Sequence, residues 1–88
     1  MRFRVFYRQE RDYTQSVEDL LEDLSRQHQK SFERVDPDTP SGSEEAHVYD
    51  IMDFPTFLAT MDDGREVARL TGVPLPTLDD LARMFVIL

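Results

Sequence analysis

Pro55 heads an apolar run, Phe54 to Met61, that stops at Asp62-Asp63-Gly64 before charge and apolar residues alternate from Glu66 to Leu70. The turn triplet carries a glycine free to take positive φ, and its flanks are rich in strand formers, so this stretch predicts a β-hairpin. A proline has no N–H for a ladder, so Pro55 belongs at the first position of its strand and not inside it. A chain containing such a hairpin must supply further strands to pair with it and helices to cover it.

The rest of the sequence supplies both. Arg2 to Arg8 places Phe3, Val5 and Tyr7 on one face and Phe6 on the other, which predicts a central strand. Val17, Leu20, Leu21 and Leu24 recur at i, i+3, i+4 and i+7, with Thr14 or Ser16 as candidate cap and Asp19 as a first-turn carboxylate. Lys30 to Asp36 carries a strand signal in Phe32 and Val35, and the Pro- and Gly-containing stretch from Asp36 to Gly42 reads as turn. Ser43-x-Glu45 is the expected opening of a short second helix running to about Tyr49. Gly72-Val73-Pro74-Leu75-Pro76 breaks the chain, and Thr77-x-x-Asp80 caps a final helix with Leu78, Leu81, Ala82 and Phe85 on one face. The predicted order is β-α-β-α-β-β-α in a single α/β domain over residues 1–88, with the first and third strands central. The apolar Phe85 to Leu88 is expected to close the last helix against the core.

Composition narrows the function classes. With 88 residues there is room for one core, and a formal net charge of -8 repels phosphate backbones and anionic lipid. Nucleic-acid and membrane-surface binding are therefore disfavoured, and a basic or neutral protein or peptide partner fits better. The chain has no cysteine, which removes disulfides, thiolate metal sites and any thiol nucleophile of its own. The N-terminus lacks the apolar run of a secretory signal, and no stretch approaches the about 20 apolar residues of a membrane span, so a cytoplasmic location is expected. His28 and His47 lie in separate elements without a partner histidine at helical spacing, so neither a metal nor a cofactor is expected. The acidic pairs Asp36-x-Asp38 and Glu44-Glu45 lack a calcium-loop pattern, and Asp79-Asp80 suits the dipole of the last helix.

The element order, together with Tyr49-Asp50-Ile51-Met52-Asp53-Phe54-Pro55-Thr56-Phe57, the Asp63-Gly64 turn, Gly72 and the capped last helix, resembles the thioredoxin superfamily, in its glutaredoxin-like minimal version. The resemblance covers nearly the whole chain. It implies a four-stranded mixed sheet with helices on both faces, and a cis bond between Phe54 and Pro55 that presents the Phe54 backbone to an extended ligand. The family's Cys-x-x-Cys would fall near Asp12-Tyr13-Thr14-Gln15, where no thiol stands, so disulfide exchange is excluded. What the resemblance leaves is a non-catalytic binding or adaptor module, its groove formed by Tyr13, Thr14, Asp53, Phe54, Pro55 and Thr56. Related enzymes that use glutathione activate its thiolate with a hydroxyl near this helix start, which keeps Tyr13, Thr14 or Ser16 as an alternative. Self-association through the last hairpin or the apolar C-terminus is a further one. Arg8 and Arg11, close to a helix N-terminus, could hold an anion or pair with Glu10, Asp12 or Asp53.

Overall fold

The computed structural model describes residues 1–86. Its elements are β1 (Arg2–Phe6), α1 (Thr14–His28), β2 (Glu33–Val35), α2 (Pro40–Val48), β3 (Thr56–Thr60), β4 (Glu66–Thr71) and α3 (Leu78–Met84). They form one mixed sheet ordered β2-β1-β3-β4, in which β1 and β2 are parallel and the other pairs antiparallel. The expected element order and the central place of β1 and β3 are both observed.

Alternation along β1 divides the core in two. Val5 and Tyr7 on one face pack with Phe57 and Ala59 against Val17, Leu21 and Leu24 of α1 and Leu81 and Met84 of α3. Phe6 and Leu58 on the other face pack with Ala46 of α2 and Ile51. Phe85 closes α3 onto the first cluster, its ring 4.0 Å from that of Phe3 between centroids. The expected closure by Ile87 and Leu88 lies outside the described residues.

Arg4, within the predicted first strand, is buried at 3% exposure on the α2 side of the sheet. Burying a guanidinium requires partners, and it has three: Glu45 Oε1 at 2.6 Å, Thr60 Oγ1 at 2.8 Å and the Tyr49 hydroxyl oxygen at 3.2 Å. Tyr49 in turn donates its hydroxyl proton to the Gly64 carbonyl at 3.0 Å, and its own carbonyl accepts from Arg69 Nη2 at 2.6 Å.

Several boundaries differ from expectation. Helix α2 starts at Pro40, three residues before Ser43. The Thr39 side chain accepts from the Gly42 N–H, and Pro40 sits in the first turn, where its missing N–H has no helical partner to lose. Gly42, expected in the turn, is helical, and a Cβ there would lie 1.9 Å from the Asp36 carbonyl oxygen. The α1 cap residue is Tyr13, without a side-chain cap bond. Thr14 is already helical, and neither it nor Ser16 caps the helix. Asp19 consequently lies beyond the first turn, which holds no acidic residue. The strands are also shorter than their apolar runs, β1 ending at Phe6 and β3 starting at Thr56. The last helix has the expected capping box, with Thr77 and Asp80 each accepting from the other's backbone N–H. Gly64 turns the hairpin at φ 91°.

Candidate functional site

The register places Phe6, Val35, Thr56 and Thr71 abreast at one end of the sheet. The segments after β1, after β2, before β3 and after β4 therefore meet at that end, together with the start of α1. The sequence-predicted residues all belong to these segments.

The loop between β1 and α1 is fastened through the backbone of Arg8. The Tyr13 hydroxyl oxygen accepts from the Arg8 N–H at 3.0 Å, and the Thr14 hydroxyl donates to the Arg8 carbonyl at 2.7 Å. Thr14 Oγ1 also accepts from the Arg11 N–H at 3.0 Å. The Thr14 hydroxyl is thus committed as both donor and acceptor, and both side chains shape the loop.

Across from it, the peptide bond between Phe54 and Pro55 is cis. Thr56, fully buried, donates its hydroxyl proton to the Asp53 carbonyl at 2.7 Å. That proton is then spent, so the 3.0 Å contact between Thr56 Oγ1 and Thr71 Oγ1 has Thr71 as donor. The Pro55 carbonyl accepts from the Gly72 N–H at 2.9 Å. Between these two anchored carbonyls, the Phe54 N–H and C=O make no hydrogen bond to any described residue.

The Arg8 side chain leaves the loop toward α2, and its guanidinium carbon lies 5.1 Å from the centroid of the Phe54 ring. Its nearest carboxylate is neither Glu10, Asp12 nor Asp53 but Asp38, at 3.6 Å from Nε, beyond hydrogen-bond reach. The Arg11 side chain makes no ion pair among the described residues, so the two arginines do not converge on one carboxylate. An open groove of about 330 Å³ lies on the α2 side of Phe54, lined by Arg8, Pro37, Ser43, His47, Asp50, Met52 and Phe54 over a floor of Ala46 and Ile51. Tyr13 and Thr14 do not line it. Met52 at 85% exposure and Val73 at 70% are large apolar side chains left in water at this end of the sheet. The sequence hint to Met52 was its place between Asp50 and Asp53 in a loop, where no helical or strand period buries it.

Tyr7 stands apart as the buried phenol beneath this end. Burial, and then its 3.1 Å hydrogen bond to Glu18, push its pKa above the ordinary tyrosine value. A phenol so held stays protonated at neutral pH and braces α1 against the sheet.

No protein-family model matches the sequence, and no curated protein matches it. Solved structures do. Thioredoxin from Fasciola hepatica is 25% identical, with a TM-score of 0.71 over 96% of this chain and 76% of its own. Oxidised thioredoxin from Plasmodium falciparum is 24% identical, with a TM-score of 0.73 over 94% of this chain and 78% of its own. Thioredoxin 1 from Thermosipho africanus TCF52B reaches a TM-score of 0.70 at 10% identity, over 98% of this chain and 91% of its own. The chain thus has a thioredoxin-like fold. It carries that fold without a cysteine, and so without the thiol pair of a Cys-x-x-Cys motif.

Proposed function

We propose that this chain is a non-catalytic binding or adaptor module that holds an extended segment of a partner protein along Asp53 to Thr56. The observation that carries the reading is the free Phe54 backbone: one N–H and one C=O with no partner among the described residues, between neighbours that are both tied down. An extended chain laid beside such a residue gains main-chain hydrogen bonds, as in strand addition to a sheet edge. Met52 and Val73 add apolar surface close to it. Residence in the cytoplasm goes with this reading, and among the described residues no helix is long and apolar enough to cross a membrane.

A thiol-handling enzyme would need a hydroxyl free to face the bound thiol. Thr14 has none to spare, whereas the Tyr13 oxygen accepts from the Arg8 N–H but keeps its own proton, so Tyr13 and the exposed Ser16 are the hydroxyls on which that reading would have to stand. Self-association has no comparable observation in its favour.

Photo-crosslinking tests the module. A benzoylphenylalanine placed at Met52 is expected to trap a partner in cells, and the same group at Arg65, at the opposite end of the sheet, is expected not to. Equal trapping from both positions, or none from Met52, sinks the reading.

A further inference from the structure

Arg2, Arg4, Arg26, Arg69 and Arg83 each donate at least one hydrogen bond to a carboxylate. Arg8 is different. Its side chain is only 38% exposed, yet its guanidinium finds no hydrogen-bond acceptor among the described residues, and Nε is buried without a partner. With Nε buried and without an acceptor and the Nη groups still facing solvent, the guanidinium has unspent donors in a fixed fork.

The fork is also pre-set. The residue 8 backbone is held from both sides by Tyr13 and Thr14, the guanidinium rests on the Phe54 ring, and Asp38 lies beside Nε. The side chain therefore loses little freedom when it takes a ligand. It borders the groove whose floor is Ala46 and Ile51 and whose rim adds the Ser43 hydroxyl, the His47 ring and, as its one carboxylate, Asp50.

We propose that this groove receives the acidic side chain, Asp or Glu, of the partner's extended segment, with Arg8 as its receptor and Phe54 as the shared wall. The inference rests on the reading of Asp53 to Thr56 as a peptide dock, and adds which residue the docked segment carries. Asp38 does not block it. That carboxylate is 54% exposed and its 3.6 Å ion pair is to Nε alone, so an entering carboxylate takes the Nη donors, against the like charges of Asp38 and Asp50. The chain's net charge of -8 acts at longer range and disfavours an acidic segment as a whole. At physiological salt such fields fade over about 8 Å, so the expected partner sequence is a single acid within a neutral or basic stretch.

The test uses the full chain, immobilised and exposed to a positional library of pentapeptides acetylated and amidated at their ends. Asp or Glu should be enriched at one position. Replacing that acid by its amide in a retained peptide should weaken binding about tenfold, the worth of one charge-assisted hydrogen bond. In Arg8→Gln the acid and amide peptides should bind alike, while both still shift the Phe54 amide resonance. Arg8→Lys should keep part of the preference. Retention of the Tyr13 and Thr14 amide positions shows that either variant is folded. Peptides that shift Phe54 without an acidic preference overturn the Arg8 subsite and leave the dock standing. An unchanged preference in Arg8→Gln also overturns it. If a library with free C-termini binds through the chain end in place of a side chain, the side-chain assignment is wrong. Failure to retain any peptide removes both the dock and the subsite.

Discussion

Arg4 Nη1 donates to Glu45 Oε1 at 2.6 Å, joining the buried face of β1 to α2 by a charge pair of which only the glutamate reaches water. Removing one member of a buried pair costs more than the pair is worth, because the other charge is stranded. Glu45→Ala should therefore destabilise the fold by about 2–3 kcal/mol, below the fully buried range since Glu45 is 30% exposed. Arg4→Met combined with Glu45→Ala should lose less than the two single changes added together. Urea unfolding of the four proteins in this cycle checks it, and strict additivity would show that the pair is uncoupled.

Gly42→Ala should reverse the ordinary helix trend. Alanine normally gains about 1 kcal/mol over glycine inside a helix. Here the added methyl would meet the Asp36 carbonyl oxygen at 1.9 Å, a backbone atom that cannot swing away. A loss of about 1–3 kcal/mol is expected, read as a lower melting temperature. A rise in melting temperature would mean that the Asp36 to Thr39 turn moves freely.

The start of α3 should respond to acid. The Thr77 N–H, followed by Arg83, holds the Asp80 carboxyl below its ordinary value of 3.8. Because the folded value is the lower one, the contribution is complete above the unfolded value and is lost as pH falls from there through the folded value. Asp80→Asn should therefore flatten the stability profile below pH 3.8 and leave its shape near neutrality unchanged. Denaturation midpoints across that acid range test the sign.

Tyr13→Phe and Thr14→Val should loosen the loop before α1 in distinguishable ways. The first removes the acceptor of the Arg8 N–H and the second that of the Arg11 N–H. Each should cost about 1 kcal/mol and speed amide exchange at Arg8 or at Arg11 respectively. Exchange followed by NMR separates them, and unchanged rates would mean that these hydroxyls do not hold the loop. The wild-type chain should also show no turnover with glutathione and an electrophile. Turnover that Tyr13→Phe abolishes would restore the enzyme reading.

The parts of this fold that were legible in the sequence are those fixed by neighbours a few residues apart. The Val17, Leu20, Leu21 and Leu24 stripe gave α1, Thr77-x-x-Asp80 gave the start of α3, and Asp62-Asp63-Gly64 gave the hairpin, because each is decided within one or two turns of chain. The start of α2 was obscured because Pro40 and Gly42 are helix breakers by local preference, and only the Thr39 cap and the close passage of Asp36 give them a use there. For the site, the loops could be read but their contacts could not. Nothing local shows that Arg4 is buried against Glu45, or that Arg8 rests on a ring 46 positions away and beside Asp38. Those pairings are long-range and arise only when the sheet brings its loops to one end.

The two bonds of the Tyr49 hydroxyl bear on how this protein can be handled. The residue that begins the loop carrying Phe54 is also tied to the carbonyl of Gly64, in the turn at the far end of the hairpin. That turn is short, polar and far from the groove, and it looks like a harmless place to insert an epitope or a fluorophore. Label placement should instead spare residues 61–65, because an insertion there pulls on the tyrosine that sets where the binding loop begins.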